Sequence, residues 1–161
     1  MTSKQHSRLH GFTIVELLVT LVIIGVLASA ILPMAELTVR RTKERELRHA
    51  LREIRTAIDA YHAAVEDGRI QKKADEPGYP HRLEDLVDGI SDAKNPKTGK
   101  LLFLRRIPRD PFADNALPSA QTWGKRSYAA GREERHEGQD VFDVHSLTSG
   151  SGLNGVPYRD W

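Results

Sequence analysis

The fold turns on residues 11–34, GFTIVELLVTLVIIGVLASAILPM. Glu16 is the only charge in the run, and from Leu17 to Met34 eighteen residues carry none. Coiled as a helix, those residues rise about 27 Å, close to the hydrocarbon thickness of a bilayer. Ahead of them lies MTSKQHSRLHG, polar and basic through Lys4 and Arg8, with no acid. A helix apolar on every face needs burial on every face, which a chain of 161 residues with one modest core does not easily supply. Two readings remain. One is a helix that stays in the membrane. The other is a secretory signal cleaved near Ala28-Ser29-Ala30, releasing a soluble periplasmic binding protein that begins at Ile31.

Glu16 and the residues beyond Ala30 favour the retained helix. A cleaved signal gains nothing from a carboxylate four residues into its apolar run, and at bilayer depth that charge is costly. The helical pattern also continues past the apolar run. Leu47, Leu51, Ile54, Ile58, Tyr61 and Val65 are spaced 4, 3, 4, 3 and 4, one amphipathic stripe. The spacing predicts a single helix from Phe12 to about Val65, roughly 80 Å long. Pro33 removes a backbone donor and is expected to kink that helix without ending it, with Gly25 softening the same region.

Charge and composition exclude several classes. Lys plus Arg total 24 and Asp plus Glu 22, a net +2, too balanced for a dedicated nucleic-acid binder. The chain has no cysteine, hence no disulfide, thiolate metal site or Cys nucleophile. Between residues 40 and 55 seven cations (Arg40, Arg41, Lys43, Arg45, Arg48, Arg52 and Arg55) mix with Glu44, Glu46 and Glu53. No aromatic side chain interrupts them to stack a base. They read as a solvated helix face with Glu36–Arg40 and Glu44–Arg48 spaced for ion pairs. Taken alone, seven cations after the apolar run against two before it would place the body of the chain in the cytoplasm.

The remainder reads as a small α+β head. RIQKKADEPGYP (69–80) is loop, and Pro80 opens a short helix through Leu83, Leu86 and Val87 that Gly89 stops. ISDAKNPKTGK (90–100) is a second loop. Strands are expected over 101–107, 126–130 and 140–145. The organisation is thus a basic leader over 1–11, a transmembrane and assembly helix over 12–34, its amphipathic half over 35–66, and a head over 67–161. Asp143, His145 and Ser146 invite a hydrolase reading, but on a strand the serine points away from the other two. Ser149-Gly150-Ser151-Gly152 is no nucleophile elbow, and seven scattered histidines lack metal-ligand spacing, so no enzymatic activity is expected.

Gly11-Phe12-Thr13-Ile14-Val15-Glu16, leading into an apolar run with Pro33, resembles the prepilin motif of type IV pilins and type II secretion pseudopilins. That resemblance implies a long helix packed by its second half on a small antiparallel sheet. It implies cleavage after Gly11 by a prepilin peptidase, N-methylation of Phe12, and a Glu16 carboxylate that meets the Phe12 amine of a neighbouring copy. The partners it implies are membrane lipid before assembly, other copies in a helical homo-polymer, minor pseudopilins and an inner-membrane assembly platform. It also implies a single-pass inner-membrane protein with its head in the periplasm, opposite to the loop-charge reading.

The head resembles the major pseudopilins of type II secretion more narrowly. Tyr79-Pro80, Ile107-Pro108-Arg109-Asp110-Pro111-Phe112, Trp123-Gly124, Asp143-Val144-His145-Ser146 and Asn154-Gly155…Tyr158…Trp161 carry that likeness, and the absence of cysteine agrees with it. A minor pilin of a type IV pilus or of a DNA-uptake machine is the neighbouring reading. In major pseudopilins the last loop binds Ca²⁺, which here implies Asp143, Ser146, Ser149, Asn154 and Asp160. Calcium takes six to eight oxygens, several anionic, whereas SLTSGSGLNGVPYRDW (146–161) offers Asp160 as its one acid. A Gly/Ser turn held by hydrogen bonds stands as the other reading of the loop.

Overall fold

The computed structural model describes residues 11–97, 99–131 and 136–161, and for residues 30–33 the backbone alone. Lys4 and Arg8 lie outside the described residues, as does the side chain of Pro33 on which the expected kink depends. Helix α1 spans Ile14–Glu66 and continues through Gly25 and Pro33. The chain divides into two compact units, Met1–Arg40 and Arg41–Trp161. Within the first, the apolar helix buries none of its most hydrophobic window and is long and apolar enough to cross a membrane.

The second unit is built on the predicted stripe. All six of its residues are buried, Leu47, Leu51, Ile54 and Ile58 to 2% exposure or less. Against them pack Leu83, Leu86, Trp123, Val141, Val144 and Tyr158. Each such side chain contributes about 1.5–3 kcal/mol of transfer free energy, so the stripe supplies most of what holds the helix to the head. The observed architecture is α+β: α2 (Asp85–Asp88), then hairpin β1 (Ile90–Ser91) and β2 (Lys100–Leu101), then β3 (Trp123–Arg126) and β4 (Asp143–Ser146). Both pairs are antiparallel, with Ile90 opposite Leu101 and Trp123 opposite Ser146.

Several expected boundaries shift, each because a backbone group finds a different partner. Residues 90–91 pair as a strand where a loop was expected. Asp92 ties the following turn by accepting from the Lys94 N–H at 3.0 Å, which folds the chain back on itself. The strand expected over 101–107 stops at Leu101, because the Phe103 and Leu104 N–H groups both turn to the Leu86 carbonyl, at 3.0 and 2.9 Å. The strand expected over 126–130 begins earlier, at Trp123, whose buried indole Nε1 donates to the Pro108 carbonyl at 2.8 Å. It ends at Arg126, since the Tyr128 N–H goes to the Asp140 carboxylate at 2.8 Å. The last strand is Asp143–Ser146, not 140–145, because Val141 donates to Pro80 at 2.7 Å. The short helix begins at Asp85 and not at Pro80, where the Asp85 carboxylate accepts from the Arg82 N–H at 2.9 Å. Gly89 closes it with φ +74°, a left-handed geometry, and a Cβ there would stand 2.8 Å from Leu102.

The turn after β1 carries an acid-sensitive contact. Asp92, 3% exposed, accepts from Arg69 Nε and Nη2 at 3.0 and 2.7 Å. The Arg69 hydrogen bonds hold its carboxyl below the ordinary aspartate value. A depressed carboxyl pKa stabilises the fold above the unfolded-state value, and that stability is lost as pH falls through the folded one. Urea midpoints are therefore expected to drop on acidification less in Asp92→Asn than in the parent. Equal pH slopes for both chains would refute the assignment.

Candidate assembly site

The N-terminal helix begins with a cap. Thr13 is the last residue before α1, and its Oγ1 accepts the Glu16 N–H at 3.2 Å. Thr13-Ile14-Val15-Glu16 is thus a Thr-x-x-Glu start, satisfying one orphan donor of the first turn and placing an acid where the helix dipole favours it. This cap escaped the reading of the sequence, although the Thr-x-x-Glu spacing signals it. Around it the surface is greasy: Phe12 is 78% exposed, Ile14 82% and Val15 69%. Among the described residues Glu16 has no ion pair, and the next charge in the chain is Glu36. A carboxylate on such a surface is costly at bilayer depth unless a cation meets it.

A family model described as the prokaryotic N-terminal methylation motif matches residues 7–32. The chain has a prepilin-type N-terminus. That motif, whose matched span includes Gly11, Phe12 and Glu16, implies action by a prepilin peptidase, pilus-like polymerisation and membrane anchoring through the apolar helix. No curated protein and no solved structure matches the chain.

The second candidate site, the proposed Ca²⁺ loop, does not assemble a cation cradle. Asp143 lies between two guanidinium groups, Arg55 Nε at 2.8 Å and Arg126 Nη2 at 3.1 Å, and also accepts its neighbour's Val144 N–H. Ser146 is buried and donates to Asp110 at 2.5 Å, on the inner face of β4. Ser149 is exposed, Asn154 Oδ1 accepts the Val156 N–H at 3.1 Å, and Asp160 stands 3.9 Å from Arg159 Nε. Two acids already faced by arginines and one serine turned inward do not offer the anionic oxygen shell calcium requires. Among the described residues no group of three His, Cys, Asp or Glu side chains converges.

Two helix residues hold the loop instead, and both were read from sequence as part of a solvated face. Glu44 is 5% exposed and accepts the Leu153 N–H at 2.8 Å and the Tyr158 hydroxyl at 3.0 Å. It stands three residues before Leu47, so it extends the apolar stripe by one position, the signal that would have marked it. Arg55 Nη2 donates to the carbonyls of Val144 and Trp161 at 3.0 and 2.8 Å while its Nε holds Asp143. Arg48 covers the Trp161 ring at 4.2 Å. Replacing Arg55 by Met keeps the stem and removes three charge-assisted bonds. Allowing for partial exposure, the expected loss is about 2 kcal/mol, read from urea unfolding; an unchanged midpoint would show the clamp to be idle.

The histidine and serine of β4 face opposite ways, as their strand positions require. His145 packs over Gly124, its cross-strand partner, where a Cβ would collide with the imidazole. Ser146 points into the core toward Asp110.

Proposed function

We propose that the chain is the structural subunit of the periplasmic pseudopilus of a type II protein secretion system, polymerising through its N-terminal helix to export folded proteins. The observation that carries this is Glu16: the sole charge in the exposed apolar run 11–34, four residues from the expected new amine of Phe12 within a methylation motif. A pair formed between copies removes two isolated charges from low dielectric at once and fixes the register of stacked helices. The cysteine-free head, with its last loop fastened by Glu44 and Arg55, supports the pseudopilin over a disulfide-closed pilin. With side chains closing the loop, the chain is proposed to act without Ca²⁺, and chelation is expected to leave its unfolding midpoint where it was. Before assembly it is an inner-membrane protein with its head in the periplasm.

Mass spectrometry of the membrane fraction from a host with a prepilin peptidase tests the reading. The expected product begins at N-methylated Phe12. A product beginning at Ile31 would instead support a soluble periplasmic protein and overturn the fibre subunit.

A further inference from the structure

Beside the apolar stripe of α1, one residue further along at every step, runs a second one: Arg41, Arg45, Arg48, Arg52, Arg55, Asp59, His62 and Glu66, spaced 4, 3, 4, 3, 4, 3 and 4. Residues at this spacing share one helix face. Its first five members are cations and its two acids come after them, so one face changes sign along its length. The whole stripe lies within the second compact unit. Arg41, Arg45, Arg52, Asp59 and Glu66 are exposed, and among the described residues none of them is in an ion pair. Arg55 differs: it is turned to the head, as described above.

We infer that this stripe is the docking surface for a second copy of the chain, parallel and displaced along the helix axis, so that the acids of one copy meet the arginines of the next. The inference rests on the fibre reading and adds its lateral register. Asp59 lies fourteen residues after Arg45, and Glu66 fourteen after Arg52. An axial displacement of about 21 Å therefore brings both pairs opposite each other together. Unstaggered copies would oppose all five arginines to one another, whereas the displacement opposes only Arg41 and Arg55, and Arg55 is neutralised by Asp143; that difference favours the displaced arrangement. A stripe serving only anionic lipid headgroups would have no use for Asp59 and Glu66 at its far end. The stripe also gives the cation cluster after the apolar run a role independent of topology.

The absence of native cysteine makes a disulfide test specific. In the full chain, Arg45→Cys with Asp59→Cys cannot close within one molecule, because the two sites stand about 21 Å apart on one helix. Mild oxidation of cells expressing this pair is expected to give a ladder of cross-linked copies that Glu16→Ala abolishes. Glu46→Cys with Ala60→Cys, at the same offset on another face, is expected to give none. Arg45→Glu with Arg52→Glu is expected to lose the fibre, and adding Asp59→Lys with Glu66→Lys to restore it. Fibres that form without the ladder and tolerate the reversal would overturn the stripe while leaving the fibre reading intact. If the reversal abolishes both fibres and binding to phosphatidylglycerol vesicles, and the compensating lysines restore neither, the stripe's partner is the lipid surface and the inference fails. Absence of fibres from the parent chain would sink both.

Discussion

Glu16→Ala is expected to be cut after Gly11 and to reach the membrane, yet to yield no fibre. The start of the helix depends little on the carboxylate. The Thr13 cap engages the backbone N–H of residue 16, which alanine keeps, and the lost interaction with the helix dipole is worth at most about 1 kcal/mol. In lipid the alanine chain is the better-tolerated one, since an ionised carboxylate at depth costs about 2.5 kcal/mol or more. Failure to polymerise therefore cannot be assigned to failed insertion. It isolates the missing contact between copies. Glu16→Gln, similar in size and uncharged, is expected to fail in the same way. The readout is the sheared or cross-linked fibre fraction beside the mass of the membrane-bound chain. Full fibre yield from Glu16→Ala would remove the residue from assembly. Gly11→Leu is expected to give a different signature: a branched side chain at the proposed cut should block processing, so that the full-length mass persists.

How much of this was legible in the sequence depends on how local each determinant is. The helix was, because a 3.6-residue period repeated over many turns is a local property, and its observed limits, Ile14–Glu66, fall within two residues of those expected. The prepilin-type motif was legible for the same reason, its residues being contiguous. The strands were found only approximately. Each is four residues or fewer, and what ends them is a distant acceptor, such as the Leu86 carbonyl that captures Phe103 and Leu104. Glu44 and Arg55 were least legible. Each looks like one more charge on a charged helix, and only partners 88 to 114 residues away show otherwise. The loop these two fasten was legible only as two alternatives, a Ca²⁺ site or a hydrogen-bonded turn, because the arginines that folding brings beside Asp143 lie elsewhere in the chain.

Asp110→Ala is expected to cost the second unit about 3 kcal/mol, the largest stability loss at a polar position. Asp110 is 0% exposed, and its carboxylate accepts the Phe112 N–H at 2.8 Å and the Ser146 hydroxyl at 2.5 Å, with Thr148 Oγ1 at 3.5 Å. Its own N–H donates to Thr122 Oγ1 at 3.2 Å, and that hydroxyl donates to the Ser119 carbonyl at 2.7 Å. The residue thus joins the turn at Pro111, the 3₁₀ turn Ser119–Thr122 and the end of β4. Among the described residues no cation pairs with Asp110, and a buried carboxylate so placed depends on such donors. Alanine strands the Phe112 N–H and the Ser146 hydroxyl in a dry interior. Asparagine preserves the acceptor for the turn and lets Ser146 re-aim, so Asp110→Asn is expected to cost about 1 kcal/mol. Urea midpoints of the two variants in detergent separate the contributions. Equal losses would mean that the negative charge, and not the acceptor geometry, holds the three segments together; no loss in either would show that the network contributes nothing to stability.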